Sequence, residues 1–169
     1  MKLKSEEMYK EVIEAIKSTR AKKPLIECLT NTVTINDCAN IILASGASPI
    51  MAEDEREVEE VVSFASALLI NIGTLQAKSV EAMLKAGKKA NEVGIPVIFD
   101  PVGVGATTLR NEVSKQIISE IKLTVVRGNM SEIRALSGFA SSTKGVDASE
   151  SDVVNKDNLI LLIMLCDTP

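Results

Sequence analysis

The sequence predicts an α/β fold built on a mostly parallel sheet. Three apolar runs are typical of strands that are buried on both faces, and they lie at residues 67–72, 97–99 and 123–126. Stretches with helical periodicity separate these runs, and no hairpin turn joins two of them. Strands that alternate with helices in this way form βαβ units with right-handed crossovers.

The remaining elements extend the same alternation. Apolar residues recurring every three or four positions predict helices over about residues 5–19, 32–45, 55–64, 76–93, 108–121 and 129–136. Shorter strands are predicted within residues 24–29 and 48–51. Gly46 directly after the second helix is a common C-terminal cap.

Composition excludes several classes of function. The chain has 169 residues, 46% of them apolar and 25% charged, with a net charge of −4 and no histidine. Catalytic triads and zinc sites that use histidine are therefore excluded. The acidic balance and the low aromatic content argue against nucleic-acid binding.

Cysteine usage and hydropathy predict a cytoplasmic protein. The three cysteines show no CxxC spacing, which indicates a reducing compartment rather than a disulfide scaffold. The charged N-terminus lacks the apolar core of a signal peptide. The longest apolar run, residues 159–166, is far shorter than the ~20 residues of a membrane span, so no membrane association is expected.

The chain is expected to divide at about residue 150. Residues 1–150 are predicted to form the N-terminal part of one α/β domain, without repeats or linkers. Residues 151–169 carry a Leu/Ile/Met run with neither helical periodicity nor strand alternation. The predicted sheet therefore looks unfinished at its C-terminal side.

Polar residues follow four of the predicted strands. They are Asn31, Asn71, Asp100 and Arg127. Parallel strands end at the same edge of a sheet, where ligands of open α/β sheets bind. The sequence therefore predicts a ligand site at this edge.

The segment after Asp100 has two interpretations. Gly103 and Gly105 before a helix could present backbone N–H groups to a phosphate. The segment is neither a Walker A loop nor a dinucleotide fingerprint, because both the Lys and the third Gly of those motifs are missing. The alternative is a structural loop that ends on a capping Thr.

The segment after Arg127 also has two interpretations. Asn129 and Glu132 share a helix face and could hold a hydrated Mg²⁺, with Arg127 on a phosphate. The simpler interpretation is a capping box that closes the start of a helix. Cys28 and Cys38 are expected to be buried apolar residues rather than nucleophiles.

These segments together resemble the hydroxyethylthiazole kinase family of thiamine synthesis. The resemblance covers about residues 24–147 and is carried, in order, by PLIECLTNTVTINDCANIILASGASPIMAEDEREVEE, ALLINIGTLQAKSVEAMLKAGKKANEVGIPVIFDPVGVGATTLR and LTVVRGNMSEIRALSG. It implies a three-layer ribokinase-like fold, incomplete here at the C-terminus, and a homotrimer. It also implies transfer of the γ-phosphoryl group of ATP to the alcohol of 4-methyl-5-(2-hydroxyethyl)thiazole, with Mg²⁺ neutralising the phosphates.

The resemblance assigns roles to six residues. Met51 and Asn31 match positions of the thiazole pocket, which the family builds between subunits. The nucleotide and metal positions are matched by Arg127 and Asn129 for ATP, and by Asp100 and Glu132 for Mg²⁺.

Two departures from the family pattern affect the expected activity. Glu27 stands where many members have His. The family's Gly-Thr-Gly-Cys anion hole has no counterpart in the sequence, and Cys166 lacks the preceding glycines, so the catalytic residue is unknown. The family register is lost near residue 153, as a frameshift or early stop would cause. We therefore expect impaired phosphorylation; the alternative is a non-catalytic remnant that binds thiazole or oligomerises.

Overall fold

The computed structural model describes residues 5–138, which form six helices and five strands. The helices are α1 (Ser5–Lys22), α2 (Ile35–Ser45), α3 (Val58–Phe64), α4 (Ala77–Val93), α5 (Thr108–Glu120) and α6 (Met130–Leu136). The strands are β1 (Leu25–Leu29), β2 (Ser48–Ile50), β3 (Ala67–Asn71), β4 (Val97–Asp100) and β5 (Val125–Val126). The predicted alternation of strands and helices is confirmed, while the predictions for residues 139–169 lie outside the described residues.

The five strands form one parallel sheet in the order β2-β1-β3-β4-β5. From β1 the chain passes to β2 on one side, and it then crosses over β1 to form β3 on the other side. The direction of strand addition therefore reverses between β1 and β3. With right-handed crossovers, this reversal places α2 on one face of the sheet and α3, α4 and α5 on the other. Helices therefore cover both faces, and the predicted α/β class is confirmed.

The hydrophobic core lies between the sheet and the helices α3, α4 and α5. The apolar side chains of α4 meet those of β3 and β4 there, and Leu68, Ile70 and Phe99 are fully buried. Helix α4 packs tightly against the end of α5 at Gly87, where an added Cβ would lie 2.2 Å from the Cδ1 of Ile121. This packing fixes the sheet edge at which β3 and β4 end.

The opposite face of the sheet is covered less completely. Within residues 5–138, α2 has no fully buried residue, and Ile41 and Leu43 are 68% and 57% exposed. The apolar stripe of α1 is also exposed, including Met8 and Val12. None of the helices in the described part of the chain has the length and apolar character needed to cross a membrane.

Two helices begin later than their periodicity predicts because polar side chains bend the chain before them. The Oδ1 of Asn31 accepts hydrogen bonds from the backbone N–H groups of Val33 and Thr34, and α2 begins only after this turn. The Oδ1 of Asp54 accepts the backbone N–H of Arg56, which delays α3 in the same way.

Candidate active site

A cavity of about 500 Å³ opens where the strand order reverses, at the carboxyl ends of β1 and β3. This is where open α/β sheets leave a crevice, because the connections after the two strands diverge. Hydroxyl groups after both strands line the cavity, and charged residues before α3 close it. The lining residues are Leu29, Thr30, Thr32, Glu53, Asp54, Glu55, Arg56, Thr74, Gln76, Lys78, Ser79 and Met83.

Beside the cavity, side-chain hydrogen bonds connect the ends of four strands. The Nδ2 of Asn31 donates to the Oδ1 of Asn71 at 3.1 Å, and the Nδ2 of Asn71 donates to the Oδ2 of Asp100 at 2.8 Å. Arg127, just past β5, donates to the same Oδ2 from Nη2 at 2.6 Å and from Nε at 3.1 Å. We call Asn31, Asn71, Asp100 and Arg127 the strand-end chain.

Sheet register explains why these four side chains meet. Asn71 and Asp100 are direct partners in the β3–β4 ladder. The backbone N–H of Arg127 donates to the carbonyl of Phe99, which holds Arg127 next to Asp100. The predicted gathering of polar residues at this edge is confirmed, and it places Asn31 with Asp100 and Arg127.

The strand-end chain combines a buried carboxylate with an exposed cation. The Asp100 side chain is 9% exposed, whereas that of Arg127 is 66% exposed. Asp100 accepts three charge-assisted or amide hydrogen bonds on one oxygen, which fixes the orientation of the carboxylate. The exposed guanidinium remains accessible to an anion from solvent.

Asn129 and Glu132 form the capping box that opens α6. The Oδ1 of Asn129 accepts the backbone N–H of Glu132, and the Oε2 of Glu132 accepts the backbone N–H of Asn129, both at 2.9 Å. The simpler of the two sequence interpretations is therefore confirmed. Glu132 is 4% exposed, and its other oxygen, Oε1, accepts the backbone N–H of Gly103 at 2.8 Å.

The glycine loop after β4 does not present free N–H groups to a phosphate in this structure. Gly103 donates to the carboxylate of Glu132, and Gly105 donates to the Oδ1 of Asn111 at 2.6 Å. The other N–H groups of residues 102–106 donate to carbonyls of the same loop. All five of these donors have partners within the chain, which favours the structural interpretation, and phosphate binding at this loop stays a prediction.

The alternative interpretation of this loop is confirmed. Thr107 is the N-cap of α5, and its hydroxyl oxygen accepts the backbone N–H of Arg110. The loop is therefore a structural connection that ends on a capping Thr.

Arg110 is a residue at this edge that the sequence reasoning missed. Its guanidinium donates to the carbonyls of Ile72 and Gly73, which follow β3, and to the carbonyl of Val102, which follows β4. One half-buried cation thus joins the two loops that flank Asp100. No spacing rule signals such a contact, because all three acceptors are backbone carbonyls.

Met51 lies apart from these contacts. It is half-buried directly after β2, one residue beyond the paired residues Glu27 and Ile50. Among the described residues, Met51 is not one of those that line the cavity. Its predicted role in a thiazole pocket stays a prediction.

Glu27 is a fully buried acid in the middle of β1. Its Oε1 accepts the backbone N–H of Ala52 at 3.0 Å, while its Oε2 has no hydrogen-bond partner. The pKa of Glu27 is raised to about 7: burial is the main cause, the hydrogen bond from Ala52 opposes it, and the nearby charges of Glu57 and Glu53 add to the increase. The departure from the family pattern therefore places a carboxyl group with an elevated pKa inside the sheet.

Cys28 is buried on the opposite face of β1, next to Cys38 of α2. Desolvation raises the pKa of Cys28 to about 12, and the neighbouring Cys38 adds to the shift. A thiol with this pKa is a poor nucleophile. The expectation that Cys28 is a buried residue is confirmed, but the same expectation for Cys38 is wrong, because Cys38 on α2 is only partly buried.

Asp100 and Glu132, the two predicted metal-binding carboxylates, do not form a complete metal site by themselves. Within residues 5–138, no group of three or more acids or cysteines is arranged to hold a metal ion. Glu132 uses both oxygens on backbone donors, and the three bonds to Asp100 all reach Oδ2. These two carboxylates could therefore hold a cation such as Mg²⁺ only if water or a bound ligand completed its coordination.

The fold and the site together define the class of protein. It is a doubly wound α/β protein, and its Asn, Asp and Arg side chains lie beside the crevice at the topological switch point, where proteins of this class bind ligands. Comparison with known proteins gives the family. The model of the Hydroxyethylthiazole kinase family matches residues 16–161, and the chain belongs to this family.

Relatives and a solved structure agree with this assignment. The chain is 58% identical to hydroxyethylthiazole kinase of Clostridium tetani over 149 residues, which is 88% of this chain and 54% of the relative. It is 51% identical to the Methanobrevibacter smithii enzyme over 160 residues, 91% of this chain and 56% of the relative. The structure of the Pyrococcus horikoshii enzyme matches with a TM-score of 0.74 and 48% identity, over 76% of this chain and 50% of that one. The chain thus spans about half the length of the curated relatives it matches.

Proposed function

We propose that this chain provides the acceptor-binding part and a portion of the phosphate-binding part of a kinase that phosphorylates 4-methyl-5-(2-hydroxyethyl)thiazole with ATP. The family supports the kinase activity and the ATP co-substrate. The observation that carries the proposal is the strand-end chain, which connects Asn31 beside the cavity to Asp100 and Arg127.

The acceptor alcohol would bind at the mouth of the cavity. Asn31 stands at the carboxyl end of β1, and the hydroxyl oxygen of Thr74 accepts a hydrogen bond from the backbone N–H of Thr32 across the same crevice. These groups can hydrogen-bond a hydroxyl and a heterocyclic nitrogen, and Leu29 and Met83 offer apolar contact for a small ring. Met51 would join the pocket from the side of β2.

The phosphates would bind on the other side of Asp100. Arg127 is exposed and positively charged, so it can bind the phosphates of ATP, and Asn129 lies two residues further at the start of α6. Asp100 and Glu132 would orient Mg²⁺ through water. The bound Mg²⁺ neutralises phosphate charge, and phosphoryl transfer then depends mainly on the positions of donor and acceptor.

The exposed apolar face supports a homotrimer as part of this proposal. Ile41 and Leu43 project from α2, which begins four residues after Asn31. A second copy packed against α2 would therefore come close to the acceptor site. Sedimentation equilibrium should give three times the monomer mass; a monomer at all concentrations would contradict this part. A cytoplasmic location is also proposed, since Cys28 and Cys38 are free thiols.

Two measurements on the 169-residue chain test the proposal. Calorimetry should show binding of the thiazole alcohol, and replacing Asn31 with Ser should weaken that binding about tenfold or more, since a polar site left unpaired loses roughly 1–3 kcal/mol. Phosphorylation should be far slower than for the Pyrococcus horikoshii enzyme, because the sequence contains no Gly-Thr-Gly-Cys segment and one oxyanion-type donor is worth about 2.7–4 kcal/mol.

The outcomes distinguish three hypotheses about the function of the chain. Binding without turnover supports the acceptor-binding part alone, which is the non-catalytic alternative. Binding with full turnover contradicts the expected impairment. A folded chain that binds neither the thiazole alcohol nor ADP contradicts the proposed function as a whole.

A further inference from the structure

Asn71 occupies the centre of the strand-end chain, and both polar atoms of its side chain form hydrogen bonds. It is 6% exposed. Its Oδ1 accepts from the Nδ2 of Asn31 at 3.1 Å and from the backbone N–H of Gly73 at 2.9 Å, while its Nδ2 donates to the Oδ2 of Asp100 at 2.8 Å. The Asn71 side chain is thus hydrogen-bonded to both Asn31 and Asp100.

Only an amide satisfies this combination of partners. Two N–H donors face one atom of the side chain, and a carboxylate faces the other. Aspartate would offer an acceptor where Asp100 requires a donor, and serine would be too short to reach both neighbours. The side chain is also confined, because an added Cβ at Gly73 would lie 3.0 Å from the Oδ1 of Asn71 and 2.8 Å from the Cβ of Asn31.

We infer that Asn71 is a positioning residue that couples the acceptor site at Asn31 to the phosphate site at Asp100 and Arg127. This inference rests on the proposed function. Asn71 itself need not touch either ligand. It acts by holding Asn31 and Asp100 in one arrangement.

The hydrogen bonds predict the sign of the coupling, that is, whether one ligand raises or lowers the affinity for the other. A bound phosphate that attracts Arg127 removes donors from the Oδ2 of Asp100, which leaves Asn71 as the remaining donor of the three. A stronger bond from the Nδ2 of Asn71 polarises the amide and makes its Oδ1 a better acceptor for Asn31. Nucleotide binding should therefore fix Asn31 more firmly and raise the affinity for the acceptor alcohol.

The experiment measures the affinity for 4-methyl-5-(2-hydroxyethyl)thiazole with and without saturating Mg·ADP, by calorimetry on the 169-residue chain. The wild-type affinity should rise about 5-fold or more with Mg·ADP, the lower end of typical coupling between sites. In Asn71→Ser the ratio of the two affinities should fall to about one. General destabilisation would lower both affinities and leave their ratio unchanged.

A matched control uses the same substitution at a second bridging amide. Asn91 donates to the carbonyl of Lys122 at 2.9 Å and accepts the backbone N–H of Lys122 at 2.6 Å, at the carboxyl end of α4 and away from the strand-end chain. Asn91→Ser should keep the wild-type ratio. Asn71→Asp, which retains the shape but sets a second carboxylate oxygen against Asp100 in place of the donor, should also lower the ratio to about one.

Each contrary result has a distinct meaning. A wild-type ratio of one, with both ligands bound, overturns the coupling and leaves the proposed function intact, whether or not the variants fold. A coupling retained in Asn71→Ser, or lost equally in Asn91→Ser, overturns the role of Asn71. Failure of the folded wild-type chain to bind either ligand overturns the proposed function, and this inference falls with it.

Discussion

The two faces of the sheet are built in different ways. The face under α3, α4 and α5 is closed by apolar side chains of β1, β3 and β4, and Leu68, Ile70 and Phe99 have no exposed surface. On the face under α1 and α2, Cys28 is buried, but Ile41 and Leu43 remain mostly exposed within the described residues. Apolar burial is the main favourable contribution to folding, so stability should be concentrated on the closed face.

This difference indicates separate roles for the two faces. The closed face holds β3 and β4 in register and so fixes the distance between Asn71 and Asp100. The open face adds little to that geometry. Its exposed apolar side chains are instead consistent with contacts to another chain.

The largest effect is expected in the core of the closed face. Phe99→Ala should lower the free energy of unfolding by about 3–5 kcal/mol, because it leaves a cavity among α4, α5 and the sheet. Urea denaturation measures the change. Phe64→Ala is the matched control, since Phe64 is 58% exposed and its removal should cost less than about 0.5 kcal/mol. Equal effects of the two substitutions would contradict the comparison.

The next largest effect concerns the buried acid of β1. Because the pKa of Glu27 is raised from 4.5 to about 7 in the fold, folding takes up a proton between these values. The stability that this group confers should therefore be fully present below about pH 4.5 and be lost, by on the order of 3 kcal/mol, as the pH rises to about 7. Urea denaturation of Glu27→Gln should lack this fall, whereas the exposed Glu60→Gln should retain it. If Glu27→Gln keeps the wild-type pH dependence, a group other than Glu27 is responsible for that dependence.

A smaller effect is expected where α4 packs most closely. Alanine normally stabilises a helix by about 1 kcal/mol relative to glycine. At Gly87 the added Cβ would lie 2.2 Å, 2.8 Å and 3.0 Å from three atoms of Ile121, so the whole side chain must move. Gly87→Ala should therefore destabilise the chain by about 1–2 kcal/mol, measured by thermal unfolding. A net stabilisation would show that the space between α4 and Ile121 can accommodate an added methyl group.

The smallest effect is expected on the open face. Leu43→Ser should change the free energy of unfolding by less than about 0.5 kcal/mol at low protein concentration, because Leu43 is 57% exposed. The same variant should weaken self-association if α2 contacts another copy, which sedimentation would detect. A loss of several kcal/mol in the dilute chain would mean that α2 is packed against the rest of the molecule.

Sequence patterns predicted the elements where burial leaves a clear signal. β3 and β4 are continuous apolar runs, and α4 follows a single helical stripe. The strand ends could also be predicted to meet, because parallel strands finish at one edge. The third apolar run was predicted over residues 123–126, but only Val125–Val126 pairs with β4.

Contacts between residues distant in sequence could not be predicted in the same way. Glu132 reaches Gly103 from 29 positions away, and Arg110 binds carbonyls 37 and 38 positions before it. Backbone partners impose no side-chain pattern, so nothing in the sequence marks them. Glu27 gave a weak signal, as a single acid inside an apolar strand.

The satisfied loop after β4 has a thermodynamic consequence. Its five N–H groups have partners without any ligand, so these hydrogen bonds already order the loop ahead of the proposed binding of a nucleotide. Binding beside it need not spend conformational entropy on ordering that backbone, which otherwise weakens association. If the proposed nucleotide binds, the heat capacity change on binding should then reflect the surface that it covers, with no contribution from coupled folding of this segment.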